Sequence, residues 1–190
     1  MKTATWILDQ PYAANRTWGV MALGSLVFAV LTAAGAAVSI PLPFSPVPIT
    51  LQTLAVILAG AVLGPVWGPV SQLAYITAGV SGLPVFAEGA AGPQVLFGPT
   101  GGYLAGFVIG AWVSGLIVRP GASWPRLVLG LLAAHAAIFV LGLAQLKLYT
   151  GNSVPVALQL GLWPFLPGTL LKTVVAAAAI KSKRLNWFRS

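Results

Sequence analysis

The sequence predicts an all-α integral membrane protein, a single transmembrane domain over residues 1–190 made of about six helices with both termini in the cytoplasm. Two observations predict this class: 58% of the 190 residues are hydrophobic, and only 6% are charged. Soluble domains carry about a quarter charged residues, so this chain lacks the side chains to cover a wet surface. Most of its charges also lie between the apolar runs or at their ends. The expected location is therefore the cell membrane, crossed several times.

Pro, Gly and charged residues divide the chain into six apolar runs, which we take as approximate helices: 18–40, 48–64, 66–80, 100–118, 126–148 and 163–181. A helix needs about 20 residues, and rarely fewer than about 17, to cross the hydrocarbon. The second and third runs are short by this measure, so we expect them to tilt, break or join through Gly64-Pro65. The first run exceeds the roughly 7 to 15 residues of a signal-peptide core, which predicts a retained span.

The positive charges predict the orientation. With six spans, eight of the ten Lys and Arg residues share one side of the membrane, and these are Lys2, Arg16, Arg119, Arg126, Lys181, Lys183, Arg184 and Arg189. Cytoplasmic segments carry an excess of such cations. Both termini are therefore expected in the cytoplasm, with three loops facing outward.

Two of the outward loops have unusual compositions. Residues 41–48 contain four prolines, and residues 81–102 are rich in Gly, Pro and aromatic residues. Closely spaced prolines favour a stiff extended segment, and an apolar loop of about 20 residues is often a lid or binding loop. The alternative is a pair of rigid interfacial turns buried by protein.

Several functions are excluded by what the chain lacks. The net charge is +8, but the cations form no stripe that could track phosphates, so no nucleic acid partner is expected. The only acids, Asp9 and Glu88, are far apart, and no phosphate-binding loop of the Gly-Lys-Ser/Thr type occurs. With no cysteine and one histidine, we expect no metal site, no cofactor and no catalytic residues. The chain is therefore not expected to be an enzyme.

Lys172 is the most informative residue, since a cation inside a membrane run costs roughly 2.5 to 3.5 kcal/mol on insertion scales. One explanation is that its side chain reaches back to the lipid headgroups from a helix starting near Pro167. The other is a ligand site: Thr169 and Lys172 are three residues apart, so they share a helix face beside the free amides of the helix start. A cation, a hydroxyl and a positive dipole end would together bind a carboxylate.

Other polar and aromatic residues could complete such a site. Hydroxyl and amide groups can both donate hydrogen bonds to an amide-like ligand and accept them from it. The same groups also form hydrogen bonds between helices. We expect His135, among small neighbours, to form an interhelical hydrogen bond, with a substrate or proton role as the less favoured alternative. The remaining candidate substrate-binding residues are Gln52, Thr50, Tyr75, Phe86, Glu88, Thr100 and Tyr103.

Small side chains repeat on the first run, at Ala29, Ala33 and Ala37. Residues at this spacing lie on one helix face and let another helix approach closely. The stripe predicts either packing within the chain or docking of a second membrane protein.

Four segments resemble the BioY family, the biotin-specific S components of energy-coupling factor transporters. They are 39–53 (SIPLPFSPVPITLQT), 82–87 (GLPVFA), 98–103 (GPTGGY) and 164–168 (PFLPG) continuing to Lys172. The resemblance implies a six-helix S component that captures biotin outside the cell. It also implies, as partners, a transmembrane coupling subunit and two cytosolic ATP-binding subunits.

The resemblance assigns roles to individual residues as well. The stripe Ala29, Ala33 and Ala37 matches the docking motif of the family, and Lys172 matches a lysine of its vitamin pocket. Thr169 departs from the family, which usually has an aspartate there. The alternatives to biotin uptake are an S component for another small anionic vitamin, an intramembrane enzyme acting on lipid, and a purely structural subunit.

Overall fold

A computed structural model describes residues 18–119 and 121–182 of the chain. Its α-helices are α1 (Trp18–Ala37), α2 (Gln52–Val80), α3 (Gln94–Phe97), α4 (Gly101–Ile117), α5 (Trp124–Thr150), α6 (Val154–Gly161) and α7 (Leu166–Lys181). Two short 3-10 helices span Ala87–Gly89 and Trp163–Phe165, and two strands, β1 (Ser39–Leu42) and β2 (Ser45–Thr50), form a hairpin. Lys2, Asp9, Arg16, Lys183, Arg184 and Arg189 lie outside the described residues.

Helix α2 is a helical hairpin rather than one straight rod. Its backbone leaves the helical conformation at Gly64, where φ is 82°, a value that glycine adopts without the strain a side chain would impose. A Cβ placed on Gly68 would lie 2.7 Å from the Cα of Gly60, although eight residues of straight helix would separate these glycines by about 12 Å. The chain therefore turns back at Gly64-Pro65, and the short second and third apolar runs become two antiparallel arms.

The proline-rich segment after α1 is a β-hairpin. Ser39 pairs with Thr50 and Ile40 with Ile49, in antiparallel register. Proline is tolerated because a two-stranded sheet consists of edge strands only, whose outer sides need no N–H donors. The Ser45 hydroxyl donates a hydrogen bond of 2.7 Å to the Leu160 carbonyl, which attaches the hairpin to α6. Helix α1 ends at Ala37, before the predicted boundary at residue 40, because β1 begins at Ser39.

Close helix contacts through glycine hold the bundle together. A Cβ on Gly106 of α4 would lie 2.8 Å from the Cα of Ile138 on α5, and a Cβ on Gly60 would collide with the Ala111 carbonyl oxygen of α4. Such small residues bring helix backbones together in a membrane, where van der Waals packing rather than water exclusion drives association. The Ser114 hydroxyl adds a hydrogen bond of 2.7 Å to the Ile57 carbonyl. Helix α4 is thus packed between α2 and α5.

The bundle has two distinct ends. The β-hairpin, the 81–100 segment and α6 lie at one end, which we call the hairpin end. The turn at Gly64 and the segment between α4 and α5 lie at the opposite end, where Lys181 donates to the Ala122 carbonyl at 2.6 Å and Gly115 packs on Gly64. Arg119 and Arg126 are exposed there as well.

Four stretches of the described chain are long and apolar enough to cross a membrane, and α4, with 17 residues, is an apolar helix just below that length. Their outer faces are apolar: Leu23 and Val30 of α1 are 63% and 67% exposed. Large exposed aliphatic side chains are stable against lipid but not as a continuous face in water. Judged by length and composition only, the stretches are Trp18–Ala37, Gln52–Val80, Trp124–Thr150 and Val154–Lys181. Of these, Gln52–Val80 is folded at Gly64 into the two arms of α2, and Val154–Lys181 consists of α6, a 3-10 turn and α7.

Candidate ligand-binding site

A cavity opens at the hairpin end of the bundle, between β2, both ends of the 81–100 segment, and α2, α4, α5 and α7. Its empty space, which includes open solvent at the mouth, is about 660 Å³. Aromatic and aliphatic side chains form most of its wall, as in such sites generally. Its polar and charged lining residues are Thr50, Gln52, Thr53, Thr100, Tyr103, His135, Thr169 and Lys172.

Lys172 is held by protein groups rather than by lipid headgroups. Its Nζ donates hydrogen bonds to the Thr50 carbonyl at 2.6 Å and to the Thr53 hydroxyl at 2.9 Å. An ammonium has three N–H donors, so one remains for a ligand in the cavity. Thr169 lies one turn earlier on α7, is 6% exposed, and lines the same cavity. The structure therefore brings together the two residues that the sequence placed on one helix face.

A chain of hydrogen bonds supports Gln52 beside Lys172. The Thr50 hydroxyl donates to Gln52 Oε1 at 3.0 Å, Gln52 Nε2 donates to the Tyr75 hydroxyl at 2.5 Å, and that hydroxyl donates to the Val85 carbonyl at 3.2 Å. Thr50 and Gln52 line the cavity, whereas Tyr75, 1% exposed, is not among its lining residues. Tyr75 thus stands behind Gln52 and orients its amide, joining the two arms of α2.

Replacing Tyr75 with phenylalanine is expected to lower the free energy of unfolding of the ligand-free protein by about 1 to 3 kcal/mol, because the buried Gln52 amide loses its partner. Thermal melting in detergent measures this. Tyr149→Phe, at a tyrosine that is 57% exposed, is the matched control and should melt like the unaltered chain. Equal melting temperatures for all three proteins would show that the Gln52–Tyr75 bond does not stabilise the fold.

The residues predicted in the second outward loop fall into two groups. Phe86, Thr100 and Tyr103 line the cavity, with Phe86 packed edge-on against Tyr75 at 5.6 Å between ring centroids. The Tyr103 hydroxyl donates to the Gly161 carbonyl at 2.9 Å, so its ring is fixed as a wall. Glu88 lies elsewhere: it is exposed on the 3-10 turn and is not among the lining residues, although its neighbour Ala87 is.

The charge of the site is positive. Glu88 is the one acid within residues 18–119 and 121–182, and it is exposed outside the cavity. Lys172 is the one Lys or Arg among the lining residues. In surroundings of low dielectric constant, a single unopposed cation favours an anionic group or a strong hydrogen-bond acceptor.

Eleven lining residues were not among the predicted substrate-binding residues, although a substrate role was the less favoured alternative for His135: Val47, Pro48, Thr53, Ala87, Val95, Leu104, Phe107, His135, Ile138, Phe139 and Phe165. The spacing of four of these residues along the sequence could have indicated the site, namely Phe107, His135, Ile138 and Phe139. Tyr103 and Phe107 are four residues apart, and His135, Ile138 and Phe139 have the i, i+3, i+4 spacing of one helix face. Many apolar faces share that spacing, however, so only the packing shows which of them borders a cavity.

His135 differs from its expected role. The expectation was a hydrogen bond to another helix, but Nδ1 lies 3.1 Å from the carbonyl oxygen of Leu131 in its own helix. Its Nε2 atom has no hydrogen-bond partner in the described part of the chain. The side chain is 2% exposed and lines the cavity.

The alanine stripe of α1 does not form one free face. Ala29 and Ala33 are half-buried against the core cluster that contains Phe86 and Tyr103, whereas Ala37 is exposed. Ala29 and Ala33 are only partly buried, so each keeps an exposed edge. This arrangement combines packing within the chain with a narrow surface open to another helix.

Comparison with known proteins shows the family of this chain. The BioY family model matches residues 13–187. A protein of Thermotoga maritima named biotin transporter BioY is 41% identical over 161 residues, which cover 84% of this chain and 94% of that protein. A protein of the same name from Rhodobacter capsulatus is 37% identical over 169 residues, 83% of this chain and 88% of that protein.

A solved structure shows the same fold. The crystal structure of the S-component for biotin from an ECF-type ABC transporter superposes with a TM-score of 0.81 at 24% sequence identity, covering 92% of this chain and all of that one. The predicted class, a helical multi-pass membrane protein with an S-component-like bundle, is confirmed. Because the family model spans nearly the whole chain and its relatives match over most of their own length, the chain belongs to the BioY family.

Proposed function

We propose that this chain binds biotin at the hairpin end of the bundle and acts as the substrate-binding S component of an energy-coupling factor transporter. Relatives at 41% and 37% identity carry the name biotin transporter. The observation that carries the proposal is the Lys172 ammonium, which lines a largely apolar cavity and has one N–H donor without a protein partner. The family consists of transport proteins, in line with the prediction that the chain is not an enzyme.

The chemistry of the cavity suits biotin, which has a carboxylate, a ureido group and an apolar body between them. Aromatic and aliphatic walls such as Phe86, Phe107 and Phe139 cover the apolar body. Lys172 and the start of α7 meet the carboxylate or the ureido carbonyl. Thr50, Gln52 and Thr169 provide further hydrogen bonds close to Lys172.

Purified protein in lipid nanodiscs is expected to bind labelled biotin, and excess unlabelled biotin should displace the label. Pantothenate, an anion of comparable size without a ureido group, should displace little, because burying unpaired polar groups of the site costs about 1 to 3 kcal/mol each. Equilibrium binding with each competitor measures this. Equal displacement by pantothenate would identify a site for small anionic vitamins in general, and absence of biotin binding would refute the proposal.

The proposal includes a coupling transmembrane subunit and two cytosolic ATP-binding subunits. The exposed edge of Ala29 and Ala33, together with Ala37, provides a surface on α1 for close contact with a helix of the coupling subunit. Biotin binding should therefore be observed without biotin transport when the partner subunits are absent. The chain alone in proteoliposomes is expected to bind biotin without ATP-dependent accumulation.

We also propose that the hairpin end faces outward. Arg119, Arg126 and Lys181 lie at the opposite end of the bundle. Cations flanking membrane helices favour the cytoplasmic side. This orientation opens the cavity to biotin outside the cell.

A further inference from the structure

The buried imidazole of His135, a residue that lines the cavity, carries a hydrogen-bonding atom without a partner. Within residues 18–119 and 121–182, the buried side-chain nitrogen and oxygen atoms that lack a partner are His135 Nε2 and Ser39 Oγ. His135 alone of these two residues lines the cavity. Buried polar atoms are almost always paired in folded proteins, so an unpaired one at a ligand site points to a missing partner.

The hydrogen bond at Nδ1 determines what Nε2 can do. The carbonyl oxygen of Leu131, 3.1 Å away, can only accept, so Nδ1 must carry the proton. In the neutral ring the other nitrogen, Nε2, then presents a lone pair and acts as an acceptor. The ligand group that meets Nε2 must therefore be a donor, which excludes a carboxylate at that position.

Gln52 and Lys172, two other polar side chains of the cavity, are already bonded to protein groups. Gln52 accepts from Thr50 and donates to Tyr75. Lys172 can only donate, and two of its three donors are engaged. Among the fully buried side-chain atoms of the lining residues, His135 Nε2 on α5 is the acceptor without a partner, and a donor remains on Lys172 of α7.

We infer that His135 is a specificity-determining residue, whose Nε2 accepts a hydrogen bond from a ureido N–H of the bound ligand. The inference rests on the proposed function, since it assigns one group of biotin to one atom of the site. A cyclic urea presents N–H and C=O groups side by side, so it matches a wall that offers one acceptor and one donor. The carboxylate of the same ligand lies away from His135.

Substitutions at His135 test the inference through affinity. His135→Phe keeps a ring but removes the acceptor, and is expected to weaken biotin binding about ten- to hundredfold. His135→Gln restores an acceptor oxygen and should recover part of the loss. A biotin analogue methylated at both ureido nitrogens should bind the unaltered chain and His135→Phe equally, because it has no N–H to donate.

A spectroscopic readout separates recognition from a structural role. The chain contains a single histidine, so ring-¹⁵N histidine labelling, with a histidine-free affinity tag, gives one pair of ring signals. Biotin is expected to shift the Nε2 resonance upfield, as hydrogen bonding to a lone-pair nitrogen does, and the dimethylated analogue should not. The melting temperature of ligand-free His135→Phe reports any packing change separately.

The outcomes distinguish this inference from the proposed function. If the unaltered chain fails to bind biotin, the proposed function and the inference about His135 are both refuted. If it binds biotin but the Nε2 resonance stays in place, and His135→Phe binds with unaltered affinity, the inference alone is overturned. A lower melting temperature for His135→Phe, with equal loss of affinity for biotin and the dimethylated analogue, also overturns it in favour of a structural histidine.

Discussion

Replacing Lys172 with methionine is expected to weaken biotin binding by about ten- to a hundredfold. The variant keeps most of the side-chain volume but removes the ammonium, and hydrogen bonds to charged groups contribute about 1.5 to 3 kcal/mol each. The loss should be large because no second Lys or Arg lies among the cavity-lining residues that the structure describes. Equilibrium binding of labelled biotin to protein in nanodiscs measures the change.

Two readouts separate the ligand role of Lys172 from its structural role. The ammonium also joins α7 to the start of α2 through the Thr50 carbonyl and the Thr53 hydroxyl, so some stability should be lost as well. Lys147→Met, at an exposed cation on α5, is the matched control and should bind normally. A Lys172→Met protein with lower thermal stability but unaltered affinity for biotin would show that Lys172 joins the helices and does not bind the ligand.

Replacing Gly60 with valine is expected to destabilise the bundle by about 3 kcal/mol, the upper end of the usual cost of overpacking. The first atom added would collide with the backbone oxygen of Ala111 and would also lie 2.8 Å from the Cβ of Ser114 on the same helix, α4. Backbone atoms cannot rotate away as a side chain can. For a chain of this size, we expect the melting temperature to fall by about 6 to 12 °C.

Gly19 provides the control for this substitution, since a Cβ placed there meets nothing within 4 Å. Gly19→Val changes the same residue type in a membrane helix, so it accounts for the intrinsic effect of valine. It should melt close to the unaltered protein. If both variants melt alike, the close crossing of α2 and α4 does not limit stability, and the helical hairpin tolerates more separation than its geometry suggests.

The alternation of apolar runs and charged segments predicted the class of protein and most of the helical segments. Gly64-Pro65 was a visible break, and the two short runs beside it became the arms of α2. Composition predicts the class of this protein well because few backbone structures can span a membrane. Lipid accepts no unpaired backbone group, so long apolar runs must be helices, and interruptions must fall at their ends.

The candidate site was partly visible for a similar reason. A lysine in an apolar run is costly wherever the fold places it, so Lys172 stands out from the sequence pattern alone. Thr169 followed from helical spacing, and Gln52 and Thr50 from being polar at the start of a run. These residues line one cavity, although they come from opposite ends of the chain.

The sequence by itself determined that lipid surrounds this protein, where its helical segments fall, and that Lys172 is the cation costly to insert into a membrane. These properties depend on side-chain polarity and on spacing along the chain. The tertiary structure alone decided which polar residues line the cavity. It placed Tyr75 behind Gln52, left Glu88 outside, and buried the Nε2 atom of His135 without a partner in the described part of the chain. These outcomes depend on how far each helix is rotated and how closely glycines let its neighbours approach, and the apolar pattern is the same for many such arrangements.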